Sequence, residues 1–230
     1  MVKTVTLKGF LASELPEDAR RRVLEEHRYI NVDCDWWDFI LDDFVSRMER
    51  EYGFFLEKEK IEFDLNRGGY IRYRGDFEID ARVDAIETLK EIYKRIDEAA
   101  LIDPEAARKI KRAVDDMEIR YERDYDGVAV KYSDIYDEEE GWVDPFEKLA
   151  SILDDESCIN LPEHLIDELN GILKEELRKL LNTLREEFRY LISDEAVIET
   201  LDANGFLFTE NGERIPASIR QPGNASREVS

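Results

Sequence analysis

A row of large apolar residues in the second half of the chain constrains the fold more than any other feature. Its members recur every three or four residues: Leu169, Leu173, Leu177, Leu180, Leu184, Phe188 and Leu191. The mean interval, about 3.67 residues, fits a straight α-helix better than a left-handed coiled coil. Just upstream, Asn160-Leu161-Pro162-Glu163 carries the residues that favour a helix start. The sequence therefore predicts a helix from about Leu161 to Ile192 with its leucine face in the core.

Further helices are predicted where a capping residue or a proline precedes an amphipathic segment. Asp103-Pro104, Asp144-Pro145 and Ser193 are the clearest of these starts. The predicted helices cover about 16–28, 35–52, 82–100, 104–117, a short segment from 145, and 194–203. The chain is therefore expected to be about half helical, more than an average globular protein.

Alternating segments predict one short strand at Val2–Leu7 and three hairpins. Their turns are placed at Gly68-Gly69, Asp126-Gly127 and Asn211-Gly212. The last two pairs are expected to close two-residue turns, because both supply residues that tolerate positive φ. The predicted fold class is α+β: helix-rich, with several short β-hairpins and one long helix. A single compact domain is expected over 1–215, with a subdivision near 133–160 as an alternative and a mobile tail over 216–230.

The chain is strongly acidic, with 56 Asp and Glu against 33 Lys and Arg and a net charge of −23. Such a charge opposes direct binding to nucleic acid or to an anionic membrane, and favours basic partners. Thirteen of the acids lie between Ser133 and Glu168, where Lys148 is the single basic residue. This uneven distribution leaves two interpretations open, a partner-binding surface or a device for solubility.

A second acidic cluster lies on the predicted helix that opens at Asp35. At 100° per residue Asp35, Asp38, Asp42 and Glu49 share one face. Trp36 and Phe39 lie on neither that face nor the core face. Exposed aromatic residues are common anchors of interfaces. The candidate partner-binding residues are Trp36, Phe39, Asp35, Asp38, Asp42, Glu138, Glu139, Glu140, Asp144, Asp154, Asp155 and Glu156.

Patterns that carry catalysis are not found in the sequence. The calcium-loop spacing is missing, and His27, Cys34, Cys158 and His164 do not have the spacing of zinc ligands. Neither of the common phosphate-binding loops occurs. No catalytic residue, metal or cofactor is therefore predicted, although a metal-assisted hydrolase or nuclease that uses Asp33, Asp35 and Asp38 is an alternative. The two cysteines are expected to be reduced thiols in the cytoplasm, since no signal peptide or membrane span is recognised.

Three segments resemble a family of small phage- and prophage-encoded proteins, mostly uncharacterised and sometimes labelled antitoxin. These segments are SELPEDARRRVLEEHRYINVDCDWWDFILDDF, FDLNRGGYIRYRGDF and ISDEAVIETLDANGFLFTENGERI, within about 11–77 and 185–215. The resemblance implies a phage origin, and it transfers no catalytic residue. Small acidic phage proteins of this kind often bind and disable a host enzyme that handles DNA, in some cases by presenting carboxylates in place of phosphates.

Together, charge and resemblance predict a non-enzymatic inhibitor or antitoxin that binds a basic surface on a host defence or nucleic-acid enzyme, as a DNA mimic. A structural or oligomerisation module built on the long helix is a further alternative, and self-association is left open.

Overall fold

The computed structural model describes residues 8–80, 85–123 and 126–216. They form seven α-helices: α1 (Glu17–His27), α2 (Asp38–Tyr52), α3 (Glu87–Ala99), α4 (Pro104–Asp115), α5 (Pro145–Leu153), α6 (Leu161–Leu191) and α7 (Asp194–Ala203). They also form eight short strands: β1 (Phe54–Phe55), β2 (Ile61–Phe63), β3 (Ile71–Tyr73), β4 (Phe77–Ile79), β5 (Glu118–Glu122), β6 (Gly127–Lys131), β7 (Ile135–Asp137) and β8 (Gly141–Val143). The predicted α+β, helix-rich fold class is confirmed. The strand predicted at Val2–Leu7 and the tail after Pro216 lie outside the described residues.

The chain divides into two compact units. One contains the described residues up to Trp37 and from Arg185 onward, and the other is Asp38–Leu184. The first unit has a core of small and apolar residues from α1, α7 and the C-terminal segment around Phe208. Phe10 pairs with Phe208 through two backbone hydrogen bonds of 2.9 Å, and the Asp202 carboxylate accepts a bond from the Ala12 amide at 2.8 Å. The segments around Phe10 and Phe208 are thereby joined in one unit.

The chain reversal at Asn211-Gly212 is present, but the predicted two-residue turn is wrong. The Thr209 amide donates to the Glu213 carbonyl at 2.9 Å, so three residues, Glu210 to Gly212, form the loop. Gly212 takes a φ of +84°, the left-handed conformation that follows a type I turn in three-residue hairpins. The Asn-Gly pair predicted where the chain reverses, but it did not predict how many residues form the loop.

The 38–184 unit contains an antiparallel sheet of order β1-β4-β5-β6. The predicted β5–β6 hairpin is confirmed, but Gly127 pairs with Glu122 and so belongs to the strand. Asp126-Gly127 therefore does not close a two-residue turn, because β5 ends at Glu122 and β6 begins at Gly127. Asp126 adopts a φ of +50° and accepts a hydrogen bond from the Tyr121 hydroxyl at 2.9 Å, which links it to β5.

The first predicted hairpin is confirmed as the antiparallel pair β2–β3, in which Ile61 faces Tyr73 and Phe63 faces Ile71. A third pair, β7–β8, was not predicted as a hairpin. It is a separate two-stranded sheet, and Tyr136 lies directly opposite Trp142 in its register.

The long helix α6 confirms the central prediction, and its leucine stripe is buried from Leu169 to Leu184. The helix also organises its neighbours. The Glu168 carboxylate accepts hydrogen bonds of 2.8 Å from the Glu87 and Thr88 amides, so a side chain of α6 caps the first turn of α3. Because the leucine stripe lies in the protein's own core, it is not available as the seam of an oligomer.

Two predicted cap residues start helices in this unit. Asp103 accepts bonds from the Glu105 and Ala106 amides, and Asp144 accepts bonds from the Phe146 and Glu147 amides. α4 contacts β7 in space, and α5 follows β8 directly in the chain.

Candidate functional site

The turn of the β7–β8 hairpin is rigidly held by one carboxylate. Asp137 accepts hydrogen bonds from the backbone amides of Glu139 and Glu140 at 2.9 and 3.1 Å. Lys148 lies 3.0 Å from Asp137 and 2.8 Å from Glu140. The amide of Glu139 and the Lys148 ammonium favour the charged carboxylate and lower the pKa of Asp137 to about 2. Asp137 therefore stays ionised, and able to accept these bonds, throughout the neutral and mildly acidic pH range.

Two aromatic rings project from the same face of this hairpin. Tyr136 and Trp142 are 54% and 72% exposed, and their ring centroids lie 5.6 Å apart in an edge-to-face arrangement. Edge-to-face packing fixes the orientation of both rings without covering them. A pre-ordered, exposed tryptophan is a typical anchor of a protein interface, because its large apolar area is buried at little cost in side-chain entropy.

Two carboxylates at the tip of the same hairpin have no ion-pair partner among the described residues. Glu138 and Glu139 are exposed at the hairpin tip, and neither forms an ion pair with another described residue. Glu140, by contrast, is paired with Lys148. Of the three glutamates predicted as binding residues here, two are therefore available to a partner and one is already used by the fold.

A cleft of about 750 Å³ separates the hairpin from α4. Trp142, Tyr136 and Ile135 supply its apolar side, and α4 supplies Arg108, Lys109 and Arg112. Carboxylates also line it: Glu105, Asp116, Asp134 and Glu138. The cleft therefore has mixed charge, which the acidic sequence of 133–168 did not indicate, since its basic residues come from a helix some twenty-five residues earlier in the chain.

The remaining predicted acids of this region lie around α5. Asp144 caps the N-terminus of the helix, whereas Asp154 ends it in the left-handed conformation with a φ of +53°. Asp155 accepts a bond from the Ser157 amide at 3.0 Å and lies 3.2 Å from Arg95. A nine-residue helix is about 13 Å long, so the acids at its two ends do not form one cluster. Glu156, although exposed, lies at the distal end.

The acidic face of α2 is partly neutralised by a lysine. Lys58 lies 2.9 Å from Asp38 and 2.7 Å from Asp42, and these hydrogen bonds raise its pKa. Phe39 is 83% exposed on the same helix and is the most exposed of the predicted anchors. The helix begins at Asp38, three residues later than predicted, because the Trp36 amide donates to the Cys34 carbonyl in a tight turn.

The other two residues of that predicted cluster lie in the first unit. Trp36 is half-buried, with its ring 5.7 Å from Trp37 and 5.9 Å from Phe188. Asp35 is exposed. Trp36 is therefore engaged in aromatic packing, while Asp35 remains open to solvent.

Candidate metal and nucleophilic groups are dispersed. Within 8–80, 85–123 and 126–216, no group of three or more His, Cys, Asp or Glu side chains is arranged to hold a metal ion. His27 lies against Phe206 and Phe208, with centroid distances of 6.3 and 6.0 Å. Cys34 is exposed, and Cys158 is a buried thiol whose pKa is raised by that burial. The hydrolase built on Asp33, Asp35 and Asp38 gains no support from this arrangement.

Comparison of the chain with protein-family models, with curated proteins and with solved structures gives no match. Among the helices that the structure describes, none has both the length and the apolar character of a membrane span.

Proposed function

We propose that this protein is a non-enzymatic inhibitor of the phage type, an antitoxin or anti-defence protein, that binds the nucleic-acid-binding surface of a host enzyme in the cytoplasm. The observation that carries the proposal is the β7–β8 hairpin. It presents two exposed aromatic rings in edge-to-face contact and, at its tip, two exposed carboxylates that form no ion pair with a described residue.

The two kinds of group have separate roles in such a complex. The carboxylates of Glu138 and Glu139, backed by a net charge of −23, attract a basic surface and accelerate association. Trp142 and Tyr136 then bury apolar area, which slows dissociation and does not depend on salt. A highly charged protein without such aromatic anchors would bind basic surfaces weakly, and it would not discriminate among them.

The basic residues of α4 define the partner more narrowly. A simple polyanion mimic would not place Arg108, Lys109 and Arg112 next to its anchor, because these residues repel a uniformly basic surface. A nucleic-acid enzyme combines basic walls, which contact phosphates, with carboxylates that hold its catalytic metal ions. In the complex, Glu138 and Glu139 would face the basic walls of the partner. The cations of α4 would face the carboxylates that hold its metal ions. We therefore expect the partner to be a metal-dependent enzyme bound at its active groove.

The experiment has two steps. The full chain is used as bait in a host lysate, and captured proteins are tested for release by duplex DNA and for loss of nuclease or nucleic-acid-binding activity. Titrations with the purified partner then compare the wild type with Trp142→Ala and with the double variant Glu138→Gln/Glu139→Gln. Trp142→Ala is expected to weaken binding by about 30-fold, the equivalent of a 2 kcal/mol hot spot. The double variant should lose about tenfold at low salt and much less at high salt, where the Debye length is short.

Matched controls come from the first unit. Glu25 and Glu26 are adjacent exposed glutamates, and Tyr29 is an aromatic residue with 58% exposure. Glu25→Gln/Glu26→Gln removes the same charge, and Tyr29→Ala removes a comparable ring. If these variants weaken binding as much as the hairpin variants do, or if DNA does not displace the partner, the proposal is wrong.

A further inference from the structure

A second cleft, of about 340 Å³, lies within the 38–184 unit between the β2–β3 hairpin and α6. It shares no lining residue with the cleft beside β7–β8. Its inner lining is apolar and aromatic, formed by buried side chains: Leu173, Leu177, Leu181, Tyr73 and Tyr121. We call this cleft the α6 groove.

Among the described residues that line the α6 groove, basic side chains outnumber acidic ones. Arg72 projects from β3, and Lys174 and Arg178 project from α6. The last two are four residues apart, so they lie on the same face of the helix. Among the described residues of the lining, Asp126 is the one carboxylate, and it accepts the hydrogen bond of the Tyr121 hydroxyl. In a chain of net charge −23, three basic residues around one groove are a local feature that solubility does not explain.

Both guanidinium groups are held in place by carboxylates outside the groove. Arg72 donates through Nε and Nη2 to Glu62 at 3.0 and 2.8 Å. Arg178 donates through the same two nitrogens to Glu175 at 2.8 and 2.7 Å. These pairs leave Nη1 unused, and they fix the plane of each guanidinium before any ligand arrives. Within the described chain Lys174 forms no ion pair, so its full charge is available.

An aromatic face and a polar donor complete the site. Tyr70 is 46% exposed at the rim, and the Arg72 guanidinium lies 4.9 Å from the centre of its ring. Asn170 uses its Oδ1 to accept a bond from the Val128 amide at 3.2 Å, which leaves its NH₂ group as a donor. A flat ring that stacks on Tyr70 and a phosphate group near the α6 cations would use all of these features.

We propose that the α6 groove binds a nucleoside monophosphate, with the phosphate against Lys174 and Arg178 and the base against Tyr70. Small-molecule sites occupy about 300–1,000 Å³, and a groove near the lower limit accommodates one nucleotide rather than a dinucleotide. A longer strand would extend from the groove onto a strongly acidic protein, which opposes a polyanion. This inference goes beyond the proposed function and does not depend on it, because the two clefts use different residues.

Isothermal titration calorimetry of the full chain with adenosine 5′-monophosphate tests the proposal. Saturable binding of one equivalent is expected, and Lys174→Gln or Arg178→Gln should weaken it by about tenfold, since each removes a charge-assisted contact. Both positions are exposed, so circular dichroism should show an unchanged fold. Arg189→Gln is the matched control, because Arg189 is an exposed arginine of the same helix outside the groove. Its affinity should equal that of the wild type.

One further variant and three further ligands separate the proposal from its competitors. Tyr70→Ala should weaken binding of the nucleotide and leave binding of inorganic phosphate unchanged. If phosphate binds as tightly as the nucleotide, the groove holds an adventitious ion only. If adenosine binds as tightly as its monophosphate, the basic residues do not contribute to binding. If an oligothymidylate binds more tightly than the monophosphate, the groove binds single-stranded nucleic acid. Each of these three ligand results overturns the proposal. A titration in which adenosine 5′-monophosphate shows no binding heat overturns it as well.

Discussion

Replacing Glu176 tests how the long helix is joined to α2. Its carboxylate is 3% exposed, yet it is surrounded by donors. Oε2 accepts a hydrogen bond from Arg47 at 2.5 Å, and Oε1 accepts bonds from Lys179 at 2.7 Å and from the Tyr52 hydroxyl at 3.3 Å. Glu176→Gln keeps the size of the side chain and removes its charge, so the change in stability reports on this network.

The expected loss follows from the exposure of each partner. A hydrogen bond to a charged group contributes about 1.5–3 kcal/mol when it is shielded from water. Arg47 is 28% exposed and fits the lower part of that range, whereas Lys179 is 53% exposed and contributes below about 1 kcal/mol. Glu176→Gln should therefore lower the free energy of unfolding by about 2 kcal/mol at pH 7. In a protein of this size the melting temperature should fall by about 4–8 °C.

The pH dependence has a definite sign. Burial alone raises the pKa of Glu176, but the hydrogen bonds from Lys179 and Arg47 outweigh burial, so the pKa lies below its ordinary value of 4.5. A carboxyl group with a lowered pKa in the folded state stabilises the protein above its unfolded pKa. That contribution is lost as the pH falls from about 4.5 through the folded pKa. The difference between wild type and Glu176→Gln should therefore be constant near neutrality and shrink below about pH 4.5.

Urea unfolding followed by circular dichroism, at several pH values, measures this difference. Glu175→Gln is the matched control, because Glu175 is the adjacent residue and is 46% exposed in its pair with Arg178. Its effect at pH 7 should stay within about 0.5 kcal/mol. Equal stability of the two variants at pH 7, or a difference that does not narrow in acid, would refute the reasoning.

Three further predictions concern single side chains. Leu180→Asp should unfold the 38–184 unit, because Leu180 is 3% exposed and an unpaired carboxylate there has no donor; loss of helical circular dichroism at 25 °C is the measurement, and near-native melting would contradict it. Asp144→Ala should cost about 0.5–2 kcal/mol in urea unfolding through loss of two cap hydrogen bonds, whereas Asp144→Asn should cost less. Gly212→Ala should lower the melting temperature, because Gly212 has a φ of +84° and an added methyl would lie 3.0 Å from the Ala19 carbonyl, while Gly171→Ala in the open face of α6 should not lower it.

Local patterns predicted the elements of this fold well. Asp103, Asp144 and Ser193 all cap helices, since a cap depends on amides only two or three residues away. The leucine stripe identified α6 because one helical face repeats over many turns. Turn lengths were less predictable. A Gly after Asp or Asn permits positive φ, but the pairing register of the flanking strands decides how many residues the loop contains.

The candidate site was harder to predict because its parts are far apart in the sequence. Tyr136 and Trp142 become neighbours only once β7 and β8 pair, and the sequence of this hairpin lacks a strong turn signal. The cations of α4 reach the same cleft through tertiary packing. Lys58, which neutralises Asp38 and Asp42, likewise lies in a different element from both. Such long-range neutralisation cannot be read from charge counts along a chain.

Some of the predicted binding acids also stabilise the fold. Only the others can be substituted to test partner binding. A substitution at Asp144 or Asp155 weakens hydrogen bonds to nearby backbone amides, so a loss of binding there also reflects damage to the fold. Glu140 is similarly tied to Lys148. Glu138 and Glu139 have no such role among the described residues, and their loss changes the surface charge alone. Neutralising substitutions therefore distinguish a binding surface from a solubility device only if they are limited to Glu138 and Glu139. Glu25 and Glu26 on α1 are the matched pair.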